Sequence, residues 1–300
     1  MVMKLGIIGL SDGNGHPFSF SAIVNGYDDA AFADAGWPVI HDYLKAKPET
    51  DFGFDGVSVT HAWTQDADIT RKLCAASKID NACADPDEML DAVDAVIVAR
   101  DDWKSHMEYA RPFLDRGMPV FIDKPLTLDK HELDYCSMFL ESGKLMSCSG
   151  LRHARELDAL RATDFGAIKC INGVVLIDWP RYGVHLLDAA FTVTDARPVS
   201  VGRNPANHDS FTIAMDDGST FTIDAIGMAA KTFRLSVYGE RGRADAEMFD
   251  NFAAFRGTLE KFIAMVKTGA PQIPPQDTLC IMRTLMAGLK AEKGGDHVRI

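Results

Sequence analysis

The chain has 300 residues, of which 47% are hydrophobic and 25% charged, an ordinary globular composition long enough for about two domains. Its net charge is -12, and no block of Lys or Arg stands out, which argues against nucleic acid and anionic membrane as partners. Cys74, Cys83, Cys136, Cys148, Cys170 and Cys280 form no C-x-x-C pair and no metal-like cluster with histidines. They read as small buried hydrophobes in a reducing compartment, and no metal is expected. The N-terminus runs straight into a strand-like segment without a signal-peptide pattern. No apolar run approaches the roughly 18 residues that would span a bilayer. A cytoplasmic protein is expected.

Lys4 to Gly9 is a short apolar run ending in glycine and reads as a first buried strand. Leu10-Ser11-Asp12-Gly13-Asn14-Gly15-His16-Pro17 follows. A glycine-rich turn at this point is where a dinucleotide pyrophosphate would sit, against the next helix. The G-x-G-x-x-G spacing is not met: counted from Gly9, the second and third glycine positions hold Ser11 and Asn14. A flexible surface loop is the competing reading.

Ser19 to Tyr27 and Trp37 to Leu44 are expected to be short helices, and Val57 to Thr60 a second strand. An acid at the end of that strand would hold the adenosine ribose of NAD. The end here is His61-Ala62-Trp63-Thr64-Gln65-Asp66, so the choice between NAD and NADP stays open. Asp66 to Ser77 reads as a helix, and Asp85 caps a short one that begins at Pro86. Asp94 to Ala99 is a continuous apolar strand of the kind buried on both faces of a parallel sheet. A loop from Arg100 to His106 and a helix to Arg116 follow, ended by Gly117.

Next comes Pro119-Val120-Phe121-Ile122-Asp123-Lys124-Pro125-Leu126, a buried strand followed by an acid, a lysine and a proline. In an open parallel sheet, ligands sit beyond the carboxyl ends of the strands. Pro125 has no N–H and stops the ladder, stiffening the backbone that carries Lys124. An isolated acid, lysine and proline is more often a solvated lysine in a turn. Strand and helix alternate up to this point, which is the doubly wound α/β pattern.

A helix from Asp129 to Glu141 leaves the first domain, and Lys144 to Ser149 is a further strand. Beyond Arg152 the pattern changes. Ile168 to Asp178 is a long strand, Phe211–Met215 and Phe221–Ala225 form a hairpin around Asp216 to Ser219, and Leu235 to Tyr238 is another strand. Alternating apolar and polar residues indicate a second, mostly antiparallel open sheet with helices on one side. Phe252, Phe255, Leu259, Phe262, Ile263 and Val266 recur at helical spacing and read as core. A last helix runs from about Asp277 to Glu292. Trp63, Trp103 and Trp179 are expected on loops near strand ends, lining a cleft or packing beneath the loops. Arg152 and His153 could reach substrate, with surface charge as the bland alternative.

The order of these features resembles the Gfo/Idh/MocA family, named for glucose-fructose oxidoreductase and inositol dehydrogenase. The resemblance rests on the glycine-rich first turn, on Asp94 to Ala99 followed by His106 and Ala110, on Gly117 to Leu126, and on Gly183-Val184-His185-Leu186-Leu187-Asp188. It implies a Rossmann domain over residues 1–126 and an α+β substrate and oligomerisation domain over 127–300. It implies that the Lys124–Pro125 peptide is cis and that Lys124 lies beside the nicotinamide and the reacting carbinol. His185 would face Lys124 as an acid/base or orienting group. The implied cofactor contacts for NAD or NADP are Gly9, Leu10, Ser11, Gly13, Asn14, Gly15, Ala99, Arg100, His106, Asp123, Lys124 and Pro125. Substrate contacts would come from Lys124, Arg152, Asp178, Trp179, Arg181, Tyr182 and His185.

Several positions depart from the family pattern. Arg181 stands where many active members carry an aspartate, and it stays protonated. It could bind a carboxylate or phosphate instead, with Asp178 as a replacement acid. Asp123 is one methylene shorter than the usual glutamate, Arg100 replaces a small or hydroxyl residue, and Asp101 replaces a proline. Asp188 could hydrogen-bond His185 or cap a neighbouring element. The expected function is hydride transfer to or from a hydroxyl or keto carbon of a sugar-like or polyol-like molecule, by a homodimer or homotetramer. The rivals are an NAD-retaining hydrolase or lyase and a catalytically inactive regulatory protein.

Overall fold

The computed structural model describes residues 2–300. In chain order, the first region contains β1 (Met3–Ile8), α1 (His16–Asn25), α2 (Asp29–Ala33), α3 (Pro38–Lys45), β2 (Val57–Trp63), α4 (Ala67–Ala76), β3 (Asn81–Ala82), β4 (Ala95–Val98), α5 (His106–Asp115) and β5 (Val120–Ile122). It continues through α6 (Lys130–Glu141) and β6 (Leu145–Met146). The strands pair in the order β3-β2-β1-β4-β5-β6, and every pairing is parallel. Ala95 to Val98 and Val120 to Ile122 are buried without a break, as strands covered on both faces must be. This order places its switch point between β1 and β4, where ligands bind beyond the carboxyl ends.

The second region contains α7 (Asp158–Ala162), β7 (Ile168–Val175), α8 (Trp179–Ala190), β8 (Pro198–Arg203), β9 (Asp209–Met215), β10 (Thr220–Ala225), β11 (Phe233–Gly239) and β12 (Arg243–Glu247). It ends with α9 (Asn251–Thr268), α10 (Pro275–Lys290) and β13 (Val298–Arg299). Its seven strands run β12-β11-β7-β10-β9-β8-β13. Only β7 and β10 pair in parallel; the other pairings are antiparallel. The β9–β10 hairpin has the expected partners, with Phe221 opposite Ile213.

The chain divides into two compact units. One holds Met1–Leu126, Tyr135–Ser147 and Leu259–Gln272; the other holds Thr127–Asp134, Cys148–Thr258 and Ile273–Ile300. Among the described residues, no helix is long and apolar enough to cross a membrane, and the six cysteines are free thiols.

Several elements differ from the sequence expectation for identifiable reasons. The strand expected over Lys144 to Ser149 is only Leu145–Met146, because Ser149 Oγ accepts the N–H of Leu151 and caps a 3-10 turn. Strands β8 and β12 lack an apolar run and were not expected; β12 is an alternation of alanine with charged residues at a sheet edge. Trp179 is not on a loop. It is the first residue of α8, capped by the Asp178 side chain, and is fully buried. Its indole N–H donates to the Leu285 carbonyl at 2.9 Å, and its ring centroid lies 4.2 Å from that of Phe211. A Cβ on Gly288 would fall 2.3 Å from the indole nitrogen, so a glycine on α10 makes the slot that the ring fills.

Trp179→Ala is expected to cost about 3–5 kcal/mol of folding stability, read as a lower denaturation midpoint. A loss under about 1 kcal/mol, the level of an ordinary surface change, would contradict this packing role.

Candidate active site

Strand β5 is fixed by its central ring. Phe121 packs edge-on to Phe20 of α1 at 6.1 Å and against Phe262 of α9 at 5.9 Å. This clamp sets where Asp123 and Lys124 emerge. The Lys124–Pro125 peptide is cis, as the resemblance implies.

Asp123 is buried, and its carboxylate is a local hub. Oδ1 accepts the N–H of Lys124 at 2.9 Å. Oδ2 lies 2.6 Å from Nδ1 of His16 and accepts from the Asn14 amide at 3.3 Å. Burial alone would raise its pKa, but the charge and hydrogen bond of His16 and the charge of Lys124 outweigh it and hold the carboxyl down to about 2. Lys124 is also buried, with Nζ 3.7 Å from Asp101 Oδ2. Asp101 in turn accepts the Ser11 hydroxyl at 2.6 Å and donates its N–H to the same oxygen at 3.1 Å. Asp101 therefore joins the lysine side chain to the glycine-rich turn, as Asp123 joins the lysine backbone to it.

The turn itself is held by side chains from two other loops. The N–H of Leu10 donates to Gln65 Oε1 at 2.8 Å, and Gln65 Nε2 donates to the Leu10 carbonyl at 2.7 Å. Arg100 donates to the same Gln65 oxygen at 3.2 Å. Its guanidinium is fixed by two 2.8 Å bonds to Asp102 and one of 2.9 Å to Ser105. His106 is fully buried, with Nδ1 2.9 Å from the Leu126 carbonyl and Nε2 3.0 Å from that of Arg100. Burial pushes its pKa down, against the pull of these two carbonyls. Leu10, Arg100 and His106, expected as cofactor contacts, thus use these groups to shape the loops around β1, β4 and β5. Ala99 is buried, and its N–H is spent on the Ile8 carbonyl at 2.8 Å.

The residues of the turn fit a dinucleotide in a modified way. Asn14 N–H closes it on the Ser11 carbonyl at 3.1 Å. Gly13 has φ +74, and a Cβ there would meet nothing within 4 Å, so the crown of the turn is open. Among the described residues, no backbone hydrogen bond takes the N–H of Asp12 or Gly13. These two exposed peptides can accept an anion. The helix end offers less than usual: His16 N–H is spent on Asn14 Oδ1 at 2.8 Å, and Pro17 has no N–H. Gly9 retains the role of a first fingerprint glycine, since a Cβ on it would fall 2.3 Å from the Pro17 ring. Side chains of Ser11 and Asn14 serve the protein, leaving phosphate contact to backbone.

In the second unit, Asp178 is committed locally. It accepts the Arg181 N–H at 3.0 Å, and its other oxygen accepts Arg181 Nε at 2.9 Å. His185 Nδ1 lies 2.6 Å from Ser149 Oγ, and its ring meets Tyr182 at 5.1 Å and Phe233 at 5.5 Å. Asp188 does not bond His185. It accepts the Ser149 N–H at 2.7 Å and Arg152 Nη1 at 3.1 Å. Burial pushes Asp188 up to about 6 despite Arg152. Arg152 is not a surface charge. It is buried and also donates to Asp277 at 2.5 Å, an aspartate shared with Arg197 at 2.8 Å. Trp179 is likewise buried.

Gln65, His16, Ser149 and Phe233 were given no role from sequence. Gln65 and His16 flank expected elements, but a glutamine clasp and a histidine–aspartate pair have no spacing signature. Among the described residues, no group of three or more His, Cys, Asp or Glu side chains could hold a metal ion.

Gln65→Leu removes both bonds to Leu10 and is expected to weaken NAD binding about tenfold, the equivalent of about 1.4 kcal/mol. Isothermal titration checks this, and unchanged affinity would contradict the clasp. Asp123 gives a pH prediction. Its folded pKa of about 2 lies below the ordinary 3.8, so its stabilisation is complete above the unfolded value and lost as pH falls through the folded one. Denaturant titrations should show the stability gap between wild type and Asp123→Asn constant above about pH 5 and shrinking toward pH 2. A gap that does not depend on pH would contradict the assignment.

Residues 32–146 match the GFO_IDH_MocA oxidoreductase family with NAD-binding Rossmann fold; the match begins after the altered turn. No curated protein matches the sequence. Similar solved structures include myo-inositol 2-dehydrogenase from Lactobacillus plantarum, at 17% identity and TM-score 0.79 over 100% of both chains. The scyllo-inositol dehydrogenase from Lactobacillus casei, solved with NAD(H) and scyllo-inositol, has 14% identity and TM-score 0.78 over 100% of this chain and 99% of that one. UDP-N-acetylglucosamine 3-dehydrogenase from Acidithiobacillus ferrooxidans has 17% identity and TM-score 0.70 over 97% and 96%. At these identities the structures establish the common fold. The part of the chain that carries β2 to β6, residues 32–146, is thus similar in sequence to the Gfo/Idh/MocA oxidoreductase family with NAD-binding Rossmann fold, and its strands lie in a six-stranded parallel sheet.

Proposed function

We propose that the protein is an NAD(P)-dependent oxidoreductase that moves a hydride to or from the hydroxyl or keto carbon of a sugar-like or polyol-like small molecule. The observation that supports this most is the buried Lys124 side chain at the end of β5, linked through Asp101 to Ser11 of the glycine-rich turn. A lysine held there is suited to a nicotinamide site rather than to bulk solvent. The inositol and sugar-nucleotide dehydrogenases of the same fold support the substrate class. Six free thiols suit a reducing, cytoplasmic setting.

The peptides of Asp12 and Gly13 would take the pyrophosphate. When bound, the nicotinamide supplies the hydride acceptor or donor. Lys124 takes the hydroxyl proton in oxidation and returns it in reduction, a role worth roughly 10²–10⁴-fold in rate. In the second unit, the His185 ring is held by Ser149. Asp178 is spent on Arg181, so neither supplies the acid that many members carry at this helical turn.

Lys124→Met should lower kcat with NAD and myo-inositol by about 10²-fold or more while the dissociation constant for NAD stays within about threefold of wild type. Unchanged turnover refutes the proton role. Net formation of NADH separates the dehydrogenase from an enzyme that retains and recycles its cofactor.

A further inference from the structure

In the second unit, one face of α10 gathers cations that the chemistry proposed above does not use. Arg283, Met286, Ala287 and Lys290 recur at three- and four-residue spacing and so share a helical face. Leu285 and Gly288, which seat Trp179, lie on the opposite face. With Lys130 and Leu133 of α6 and Val298 and Arg299 of β13, the first face lines a cavity of about 390 Å³. A second cavity of about 290 Å³ shares Arg283 and Ile300 with it and adds Arg197. All of these residues belong to the second unit.

The charges around the two cavities are unbalanced. Asp134 is the one carboxylate side chain among their lining residues, and Lys130 stands 3.4 Å from it. Among the described residues, the side chains of Arg283, Lys290 and Arg299 make no ion pair, hydrogen bond or ring contact. Arg197 is already oriented: it donates to the buried Asp277 at 2.8 Å and lies 4.6 Å from the Phe191 ring. Asp277 also accepts from Arg152, so one carboxylate is divided between two guanidiniums. The whole chain has 43 acids against 31 Lys and Arg, so a concentration of unpaired cations runs against its composition. Like charges held together repel, and an anion placed among them removes that cost. Guanidinium forks match the oxygens of a phosphate. Leu133, Met286 and Val298 offer an apolar wall beside them, and the larger cavity falls within the size range of small-molecule sites.

We propose that the cavities joined at Arg283 form a binding site for a small phosphorylated molecule. The phosphate sits where the two cavities meet, at Arg283, and the carbon skeleton lies against the apolar wall of the larger one. This site is separate from the turn after β1 and does not depend on the oxidoreductase reading.

Isothermal titration of the full chain with glycerol 3-phosphate at low salt tests the site. The wild-type protein should bind with a dissociation constant of about 1 mM or tighter. Arg283→Gln changes an exposed side chain and should weaken binding at least about tenfold, whereas Arg283→Lys, which keeps the charge and loses the fork, should weaken it less. Arg71→Gln removes an exposed arginine of the first unit that is paired with Asp68, and should leave the affinity unchanged. A wild-type protein that does not bind the ester overturns the proposal. So does an affinity equal in wild type and Arg283→Gln, which would place the ester elsewhere, for example on the peptides of Asp12 and Gly13. Sedimentation with phosphatidic acid vesicles, lost in Arg283→Gln and unaccompanied by binding of the soluble ester, would assign the phosphate to a lipid and overturn the small-molecule reading.

Discussion

The carboxylate of Asp123 is the constraint on which the first unit's site depends. It sits at the end of a strand clamped by Phe20 and Phe262, and it engages the imidazole of His16, the amide of Asn14 and the N–H of Lys124. A buried carboxylate is costly unless its lone pairs are satisfied and a positive charge stands near. Here both conditions are met, and the partners that meet them are the glycine-rich turn and the lysine. Burial, charge and backbone position are consequently inseparable: moving any one partner leaves an anion uncompensated. The shorter side chain of aspartate, compared with glutamate, suits a hub that accepts the N–H of the very next residue as well as two short side chains of the turn and α1.

The turn after β1 holds its shape without the G-x-G-x-x-G spacing. Gly9 keeps the close approach to the following helix, and Gly13 leaves the crown open. The position that lost its glycine carries Ser11, whose hydroxyl is tied to Asp101. Gln65 holds Leu10 by both its N–H and its carbonyl, and Arg100 holds Gln65. Arg100 and Asp101 are themselves departures from the family pattern. Their contacts tie these departures to one another across three loops. In the second unit, the buried Arg152, Asp188 and Asp277 cluster does for Ser149 what Asp123 does for the turn, and Ser149 sets one nitrogen of His185.

Strands with unbroken apolar runs were legible in the sequence, as were the β9–β10 hairpin and the change from parallel to mostly antiparallel sheet. These depend on local pattern. Strands β8 and β12 were not legible, because a proline start and an alanine–charge alternation carry no hydrophobic period; neighbouring strands make them strands. The position of Lys124 could be read because a buried run, an acid and a proline are contiguous. Partners could not. Gln65 meets Leu10 across 55 residues, His16 meets Asp123 across 107, and Arg152 meets Asp277 across 125. Trp179 was misplaced for the same reason: the glycine that makes room for it lies on another helix. Arg152 looked like surface charge because its two aspartates are remote in sequence.

The account's central claim is that a nicotinamide dinucleotide lies over the carboxyl ends of β1 and β5, on the rebuilt turn and beside the buried lysine. A crystal structure of the protein soaked with NADH measures this most directly. The account predicts the pyrophosphate on the peptides of Asp12 and Gly13 and the nicotinamide ring in contact with Lys124. A dinucleotide bound elsewhere, or one on the turn with its ring remote from Lys124, would contradict it.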